Sequence, residues 1–198
     1  ANKAAAGRSG DIRQCVRCFQ CFSPVPDPEQ QIPDDGVVPW LKVGRCALNP
    51  IAGTDFEWDR LPPVSTPKTV AIVGGGPAGM QAAITAAGRG HRVILLEQRE
   101  ALGGTLWFAE IDADKGDLAQ FRDFLIRQVR QRPNIEVRLN CRAGAALLRA
   151  LRADTVLLAT GAVPARPPIP GLEHAVHALA AYDSGARIGK RVVMVGGG

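Results

Sequence analysis

Two groups of residues in this chain have the types and spacing to do chemistry. The first is Cys15-x-x-Cys18-x-x-Cys21, followed after a long gap by Cys46-Ala-Leu-Asn-Pro50. Three thiolates in one short run can wrap one side of a metal cluster. A distant fourth completes the set of four sulfur ligands that iron–sulfur clusters take. Zinc competes for this set, because Cys-x-x-Cys is also half of many zinc sites, but those pair it with a second close Cys or His pair. Here only Cys46 follows, and the first histidine is His91. Unliganded buried thiols are the third reading. Cys141 lies in a different part of the chain and reads as a packed small side chain.

The second group is the run Thr69-Val-Ala-Ile-Val-Gly-Gly-Gly-Pro-Ala-Gly79. Gly74, Gly76 and Gly79 stand at the G-x-G-x-x-G spacing. The first allows a sharp turn, the second lets a pyrophosphate approach the backbone, and the third lets a helix pack closely on a strand. A helix opening at Pro77 aims its free N–H groups and positive end at phosphate. Glu97 closes the next apolar run, Arg92-Val-Ile-Leu-Leu-Glu97, where a carboxylate can accept ribose hydroxyl hydrogens. A glycine-rich turn without a ligand is the bland alternative. Leu102-Gly-Gly104-Thr105 adds a second glycine pair that would bring backbone to the edge of the same site.

The elements that must hold these groups can be placed from periodicity. Residues 69–73 and 92–97 read as strands, with a helix from Pro77 closed by Gly88 and Gly90 between them. An amphipathic helix spans about 117–132, with Leu118, Phe121, Leu125 and Val129 on one stripe and Pro133-Asn134 as its stop. Residues 135–139 and 154–160 read as further strands, with a short helix over 145–153. Strands alternating with helices predict a parallel sheet of Rossmann-like α/β type, preceded by a small irregular cysteine-rich segment. Ligands of such sheets lie beyond the C-terminal strand ends, where Gly74, Glu97 and Gly161 would gather.

Proline-rich stretches punctuate this pattern. Residues 22–36 read as a loop, 61–67 as a stiff linker, and 163–171 as a segment leaving the sheet. Residues 190–198, Lys-Arg-Val-Val-Met-Val-Gly-Gly-Gly, repeat the pattern of 68–76 and read as the opening strand of a second nucleotide fingerprint. The expected organisation is thus a tail over 1–14, a cluster segment over 15–60, a linker over 61–67, the first half of a dinucleotide-binding domain over 68–189, and the start of a second nucleotide-binding domain over 190–198.

Composition narrows the classes. Of 198 residues, 46% are hydrophobic and 22% charged, as in ordinary globular chains. No apolar run approaches the roughly 20 residues of a membrane span. The net charge is +5, but Lys and Arg are scattered and aromatics are only 5%, too few for base-stacking platforms, so nucleic acid is not expected as a partner. No secretory signal pattern is visible, which points to the cytoplasm. His91, His174 and His177 fit no ligand spacing, and Lys115 alone reads as a solvated side chain near a helix start.

The combination of Ile12-Arg-x-Cys15, Cys46-x-x-Asn-Pro50, Gly74-Gly-Gly-Pro-Ala-Gly79, Leu102-Gly-Gly104 and Ala159-Thr-Gly-Ala162 resembles the C-terminal part of the NADH:flavin oxidoreductases related to 2,4-dienoyl-CoA reductase, enoate reductases and trimethylamine dehydrogenase. The resemblance implies a preceding FMN-bearing TIM barrel, a 4Fe-4S cluster, and an FAD domain with an inserted NAD(P)H domain. It makes 68–189 the first half of an FAD- or ADP-binding domain and 190–198 the start of an NAD(P)H-binding domain. It makes Cys15, Cys18, Cys21 and Cys46 the cluster ligands. Ala78, Glu97, Gly104, Thr105, Lys115, Ala143 and Ala159-Thr160-Gly161 match positions lining the FAD or ADP site. Two spacings depart from the dienoyl-CoA reductase pattern: two residues rather than three separate the second and third cysteines, and the gap to the fourth is longer.

The function this implies passes electrons from NAD(P)H through FAD and the cluster to FMN, for reduction of an activated C=C bond. An amine dehydrogenase with a structural ADP is the alternative, and a non-catalytic nucleotide-binding electron carrier is a third reading. No catalytic acid or base is assigned within these residues, and the chain by itself is expected to be inactive. The expected partners are a small-molecule substrate and the barrel and nicotinamide domains of the same protein, with homo-oligomerisation left open.

Overall fold

The structure is a computed structural model and describes residues 2–22, 46–110, 113–184 and 188–196. The helices are α1 (Asn2–Ala5), α2 (Asp55–Asp59), α3 (Pro77–Gly88), α4 (Gly116–Arg130), α5 (Ala145–Leu151) and α6 (Ala178–Ser184). The strands are β1 (Thr69–Val73), β2 (Arg92–Leu96), β3 (Ile135–Arg138) and β4 (Thr155–Leu158). They form one sheet in the order β3-β2-β1-β4, and every pairing is parallel. The register sets Thr69 beside Arg92 and Val73 beside Leu96, so β1 and β2 end together at Gly74 and Glu97.

Burial fixes this register. In β1 and β2 the side chains of Val70, Ile72, Val93 and Leu95 alternate onto the face that receives α3 and α4, and all four are buried. A one-residue slip would turn that set away from the helices. Helix α3 contributes Met80, Ala83, Ile84 and Ala87, and its alanines allow close approach to the sheet. Helix α4 contributes Phe121, Phe124, Leu125 and Val129. The expected stripe of α4 is therefore core, with Phe124 added to it and Leu118 only half-buried. Removing a Leu125-sized side chain fully from water contributes on the order of 1.5–3 kcal/mol.

The sequence placed the elements well and their ends less so. Helix α4 stops at Arg130, α5 stops at Leu151 on a left-handed Arg152, and β4 spans only Thr155–Leu158. Strand β4 is an edge, with Val156, Leu157 and Leu158 exposed. Residues 61–67 are irregular and mostly exposed, as a linker would be. The expected loop over 22–36 lies, from residue 23 onward, outside the described residues.

One expectation needs correction. Over residues 190–196, no strand forms among the described residues, and Val192, Val193, Met194 and Val195 are exposed. An apolar run becomes a strand only when a neighbouring strand takes its N–H and C=O groups and another layer covers its face. Neither is offered to this run by the described residues.

The N-terminal segment lies along α4. The Arg127 guanidinium donates to the Gly10 carbonyl at 3.0 Å, the Gln128 amide donates to Asp11 at 3.4 Å, and Val16 packs against the core. Arg17 forms an ion pair with Asp117 in the first turn of the helix. The cysteine-bearing chain is thereby tied to the same helix that closes the core under the glycine turn.

Candidate functional site: a dinucleotide shelf beside a cysteine segment

At the C-terminal end of the sheet, the turn after β1 is built by glycines, most of which have no room to be anything else. Gly74 has φ of +109°, and a Cβ there would overlap the Ala159 carbonyl. A Cβ on Gly79 would overlap the Gly74 carbonyl, so the third glycine seats α3 on the turn. Gly76 differs. Its φ is −73°, and a Cβ would meet nothing nearer than Gly104 Cα at 3.9 Å. The backbone at Gly76 is therefore open where a pyrophosphate would approach, at the start of a helix of 12 residues whose first N–H groups lack helical acceptors.

Glu97 is nearly buried, with 7% of its surface exposed, and its carboxylate is held at both oxygens. The Gly75 N–H donates to Oε2 at 2.6 Å and the Arg99 N–H donates to Oε1 at 2.8 Å. A carboxylate offers about four lone-pair sites, so each oxygen keeps one for a ribose hydroxyl. Glu97 thus braces the glycine turn as well as presenting a fixed negative charge. Gly75, which the fingerprint leaves unspecified, is needed for this: a Cβ there would come within 2.5 Å of Leu102 and 2.9 Å of Glu97 Oε2. The triple glycine in the sequence was its only signal.

The second glycine pair closes on the first. The Gly103 N–H donates to the Gly75 carbonyl at 2.9 Å, and a Cβ on Gly104 would lie 2.8 Å from Gly76 Cα. This turn rests on Trp107 and Arg122. The Trp107 indole donates to the Leu102 carbonyl at 3.0 Å, and the Arg122 guanidinium stacks 4.0 Å from the Trp107 ring centroid while donating to Asp123. Sequence reasoning missed Arg122, since an arginine within an amphipathic helix gives no sign that it will be buried.

Of the residues expected to line the site, Gly74, Gly76, Gly79, Glu97, Gly104 and Ala159 come together here. The Ala159 N–H donates to the Val73 carbonyl at 2.8 Å, which places Ala159-Thr160-Gly161 beside the turn. Ala78 is exposed in the first turn of α3. Ala143 stands two residues after Cys141, whose N–H donates to the Glu97 carbonyl at 2.8 Å. Thr105 and Lys115 are exposed, Lys115 standing just before α4, and no hydrogen bond among the described residues draws Lys115 to the turn.

Cys15, Cys18, Cys21 and Cys46 are free thiols on exposed chain, and Cys141 is free and half-buried. The Arg17 N–H donates to Cys15 Sγ at 3.3 Å. Arg17 and Phe19 both have positive φ, at 54° and 56°, a conformation that non-glycine residues adopt at some cost. A backbone N–H turned toward sulfur suits a thiolate cluster, because such a hydrogen bond stabilises its negative charge. The donor set thus fits an iron–sulfur cluster chemically, while among the described residues no three His, Cys, Asp or Glu side chains converge as a metal site.

Arg13, two residues before Cys15, connects this segment to the dinucleotide domain. Its guanidinium donates to the Leu48 carbonyl at 2.5 Å, to Asn49 Oδ1 at 3.1 Å and to Gln81 Oε1 in α3 at 3.0 Å, and it lies 5.2 Å from the Phe124 ring centroid of α4. Burial pushes its pKa below the ordinary arginine value, and Cys46 partly offsets this.

Comparison with known proteins agrees with this geometry. The family model of the pyridine nucleotide-disulphide oxidoreductases matches residues 68–198. A protein named NADH oxidase from Thermoanaerobacter brockii is 41% identical over 172 residues, covering 86% of this chain and 24% of that protein. One named metal reductase from Desulforamulus reducens is 31% identical over 205 residues, covering 100% of this chain and 28% of that protein. Among solved structures, 2-naphthoyl-CoA reductase superposes with a TM-score of 0.77 at 29% identity over 95% of this chain and 27% of its own. Histamine dehydrogenase from Rhizobium sp. 4-9 superposes with a TM-score of 0.68 at 25% identity over 85% and 24%. No helix among the described residues is long and apolar enough to cross a membrane. The sheet, the glycine turn and the matched residues place this chain in the pyridine nucleotide-disulphide oxidoreductase family, among the flavin oxidoreductases of the enoate reductase and amine dehydrogenase type.

Proposed function

We propose that these residues are the cluster- and FAD-binding part of an NAD(P)H-dependent flavin oxidoreductase that delivers electrons to FMN in a separate barrel domain, for reduction of an activated C=C bond. The observation that carries this reading is the convergence of Gly76, Glu97 and Gly104 at the sheet end, on a chain whose adjoining segment offers four unbridged thiols. When bound, FAD takes up a pair of electrons and an iron–sulfur cluster passes them singly, so the two together link a hydride donor to a distant flavin.

The roles of the chain's own residues follow. Gly76 and the first turn of α3 receive the pyrophosphate. Glu97 orients the adenosine ribose and repels a 2′-phosphate, so the site takes FAD or ADP and not a 2′-phosphorylated nucleotide. Thr105, Lys115, Ala143, Thr160 and Gly161 line the rest of the shelf. Cys15, Cys18, Cys21 and Cys46 hold the cluster, with the Arg17 N–H stabilising Cys15 sulfur. Within the family pattern, residues 1–14 belong with the barrel and 190–198 with the nicotinamide domain, and the protein works in the cytoplasm on a small molecule.

Anaerobic purification of the intact protein, followed by iron, sulfide and flavin analysis, tests the reading. Iron with sulfide and both FAD and FMN supports it, whereas stoichiometric zinc without sulfide refutes it. A second reading reverses the electron flow, with FMN oxidising an amine and ADP in the shelf. Similarity to proteins named dimethylamine dehydrogenase, at 28% identity over 98% of this chain, and histamine dehydrogenase favours it. Rapid bleaching of the flavin by NADH or NADPH separates the two, since only the reductase reading requires it.

A further inference from the structure

We propose that Arg13 is a positioning residue that clamps the Cys46 loop onto the dinucleotide domain and, as a fixed cation beside that loop, raises the reduction potential of the cluster. The inference rests on the iron–sulfur reading of Cys15, Cys18, Cys21 and Cys46. It begins with geometry. A single guanidinium, on the segment that carries Cys15, bonds two other pieces of chain: the Leu48 carbonyl and Asn49 belong to the loop that opens at Cys46, and Gln81 belongs to α3, the helix that starts at the pyrophosphate shelf. Phe124 of α4 supplies the apolar face against which the planar group stacks.

Arginine suits this place because its rigid fork can bond three acceptors while keeping its charge, which a lysine ammonium on a flexible stem does less well. Leu48 beneath the clamp is itself a buried core residue, 8% exposed, so the loop is anchored by packing as well as by hydrogen bonds. The anchoring has an electron-transfer consequence: a cluster whose fourth ligand sits on a loop bonded to α3 keeps a constant separation from the flavin on the same helix.

The charge has a second consequence. Reducing an iron–sulfur cluster adds one negative charge, and a fixed positive charge nearby favours the reduced form. Two acids on or beside the segment have other partners, Asp11 with Arg8 and Asp117 with Arg17, so neither is paired with Arg13. A half-buried site screens less than open water, and for a charge about 12 Å away at an effective dielectric of about 20, removing it alters the reduced-to-oxidised ratio by about tenfold. For a one-electron couple this is a shift of about 59 mV.

The test uses the intact, anaerobically purified protein with Arg13→Gln and Arg13→Lys. It measures the cluster potential by redox titration monitored by electron paramagnetic resonance, and backbone hydrogen exchange over residues 46–54. Arg13→Gln should lower the reduced-to-oxidised ratio at fixed potential about tenfold, Arg13→Lys should stay near wild type in potential, and both should exchange faster over 46–54. Equal falls in potential for both variants, or a wild-type potential in an iron-loaded Arg13→Gln, would overturn the electrostatic role. If Arg13→Gln cannot hold iron, Gln81→Ala decides, because it removes one leg of the clamp and leaves the charge: faster exchange over 46–54 supports the clamp and unchanged exchange overturns it. Wild-type protein without iron or sulfide would overturn the cluster reading and this inference with it.

Discussion

Substituting Gly76 by alanine separates a glycine required by the fold from one required by the ligand. At Gly76 the backbone has φ of −73° and ψ of −179°, which alanine adopts without strain, and its Cβ would have 3.9 Å of clearance from Gly104 Cα. Gly76 is the N-cap of α3 and makes no side-chain cap bond. Alanine is a poorer N-cap than glycine by roughly 0.5–1 kcal/mol, and the stiffer unfolded chain returns about 0.4–1 kcal/mol, so the net stability change should be near zero. The added methyl would, however, stand where the pyrophosphate meets backbone N–H. Losing one charge-assisted hydrogen bond costs about 1.5–3 kcal/mol, or roughly 10- to 150-fold in affinity. Gly79→Ala makes the contrast, because its Cβ would overlap the Gly74 carbonyl and the turn itself must open. Thermal unfolding with calorimetric titration of ADP on the intact protein reads both effects. Gly76→Ala that unfolds early, or that binds ADP within twofold of wild type, would refute the assignment of that backbone to phosphate.

Other expectations follow from the same contacts. Glu97→Gln presents an amide NH₂ to one of two backbone N–H donors, so it should destabilise by about 1–3 kcal/mol and weaken ADP binding, measured by denaturant unfolding and titration. Leu125→Ala, at a fully buried position between α4 and the sheet, should cost about 2–5 kcal/mol by the same unfolding measurement, without changing cofactor selectivity. Cys46→Ser should lower iron and sulfide content while Cys141→Ser should leave both unchanged. Glu136 is held below its ordinary 4.5 chiefly by the hydrogen bond from Arg138, with Arg92 adding to it. Its contribution to stability is present above the unfolded value and lost as pH falls through the lower folded one, so Glu136→Gln should flatten the acid limb of a pH–stability curve.

The parts of this account legible in the sequence are those set by short-range chemistry. A β-branched run breaking into Gly74-Gly-Gly-Pro-Ala-Gly79 states a strand, a turn and a helix in eleven residues, and the four strands and the α4 stripe followed from periodicity. What was not legible depends on partners far along the chain. Gly75 matters because Glu97 and Leu102 arrive beside it, and Arg122 is buried because Trp107 folds back over it. Arg13 reaches Gln81 across 68 positions of sequence, which no local pattern encodes. The apolar run at 190–196 shows the reverse failure, since a strand pattern without a neighbouring strand among the described residues remains irregular.

In the proposed function, one chain holds an iron–sulfur cluster and a dinucleotide side by side to move electrons from a nicotinamide. The most direct measurement is anaerobic stopped-flow reduction of the intact protein by NADH or NADPH, with flavin absorbance and the cluster's electron paramagnetic resonance signal followed together. Flavin should bleach first, a reduced-cluster signal should follow, and Cys46→Ser should abolish the second phase but not the first. Flavin reduction with no reduced-cluster signal in iron-loaded wild-type protein would contradict that function.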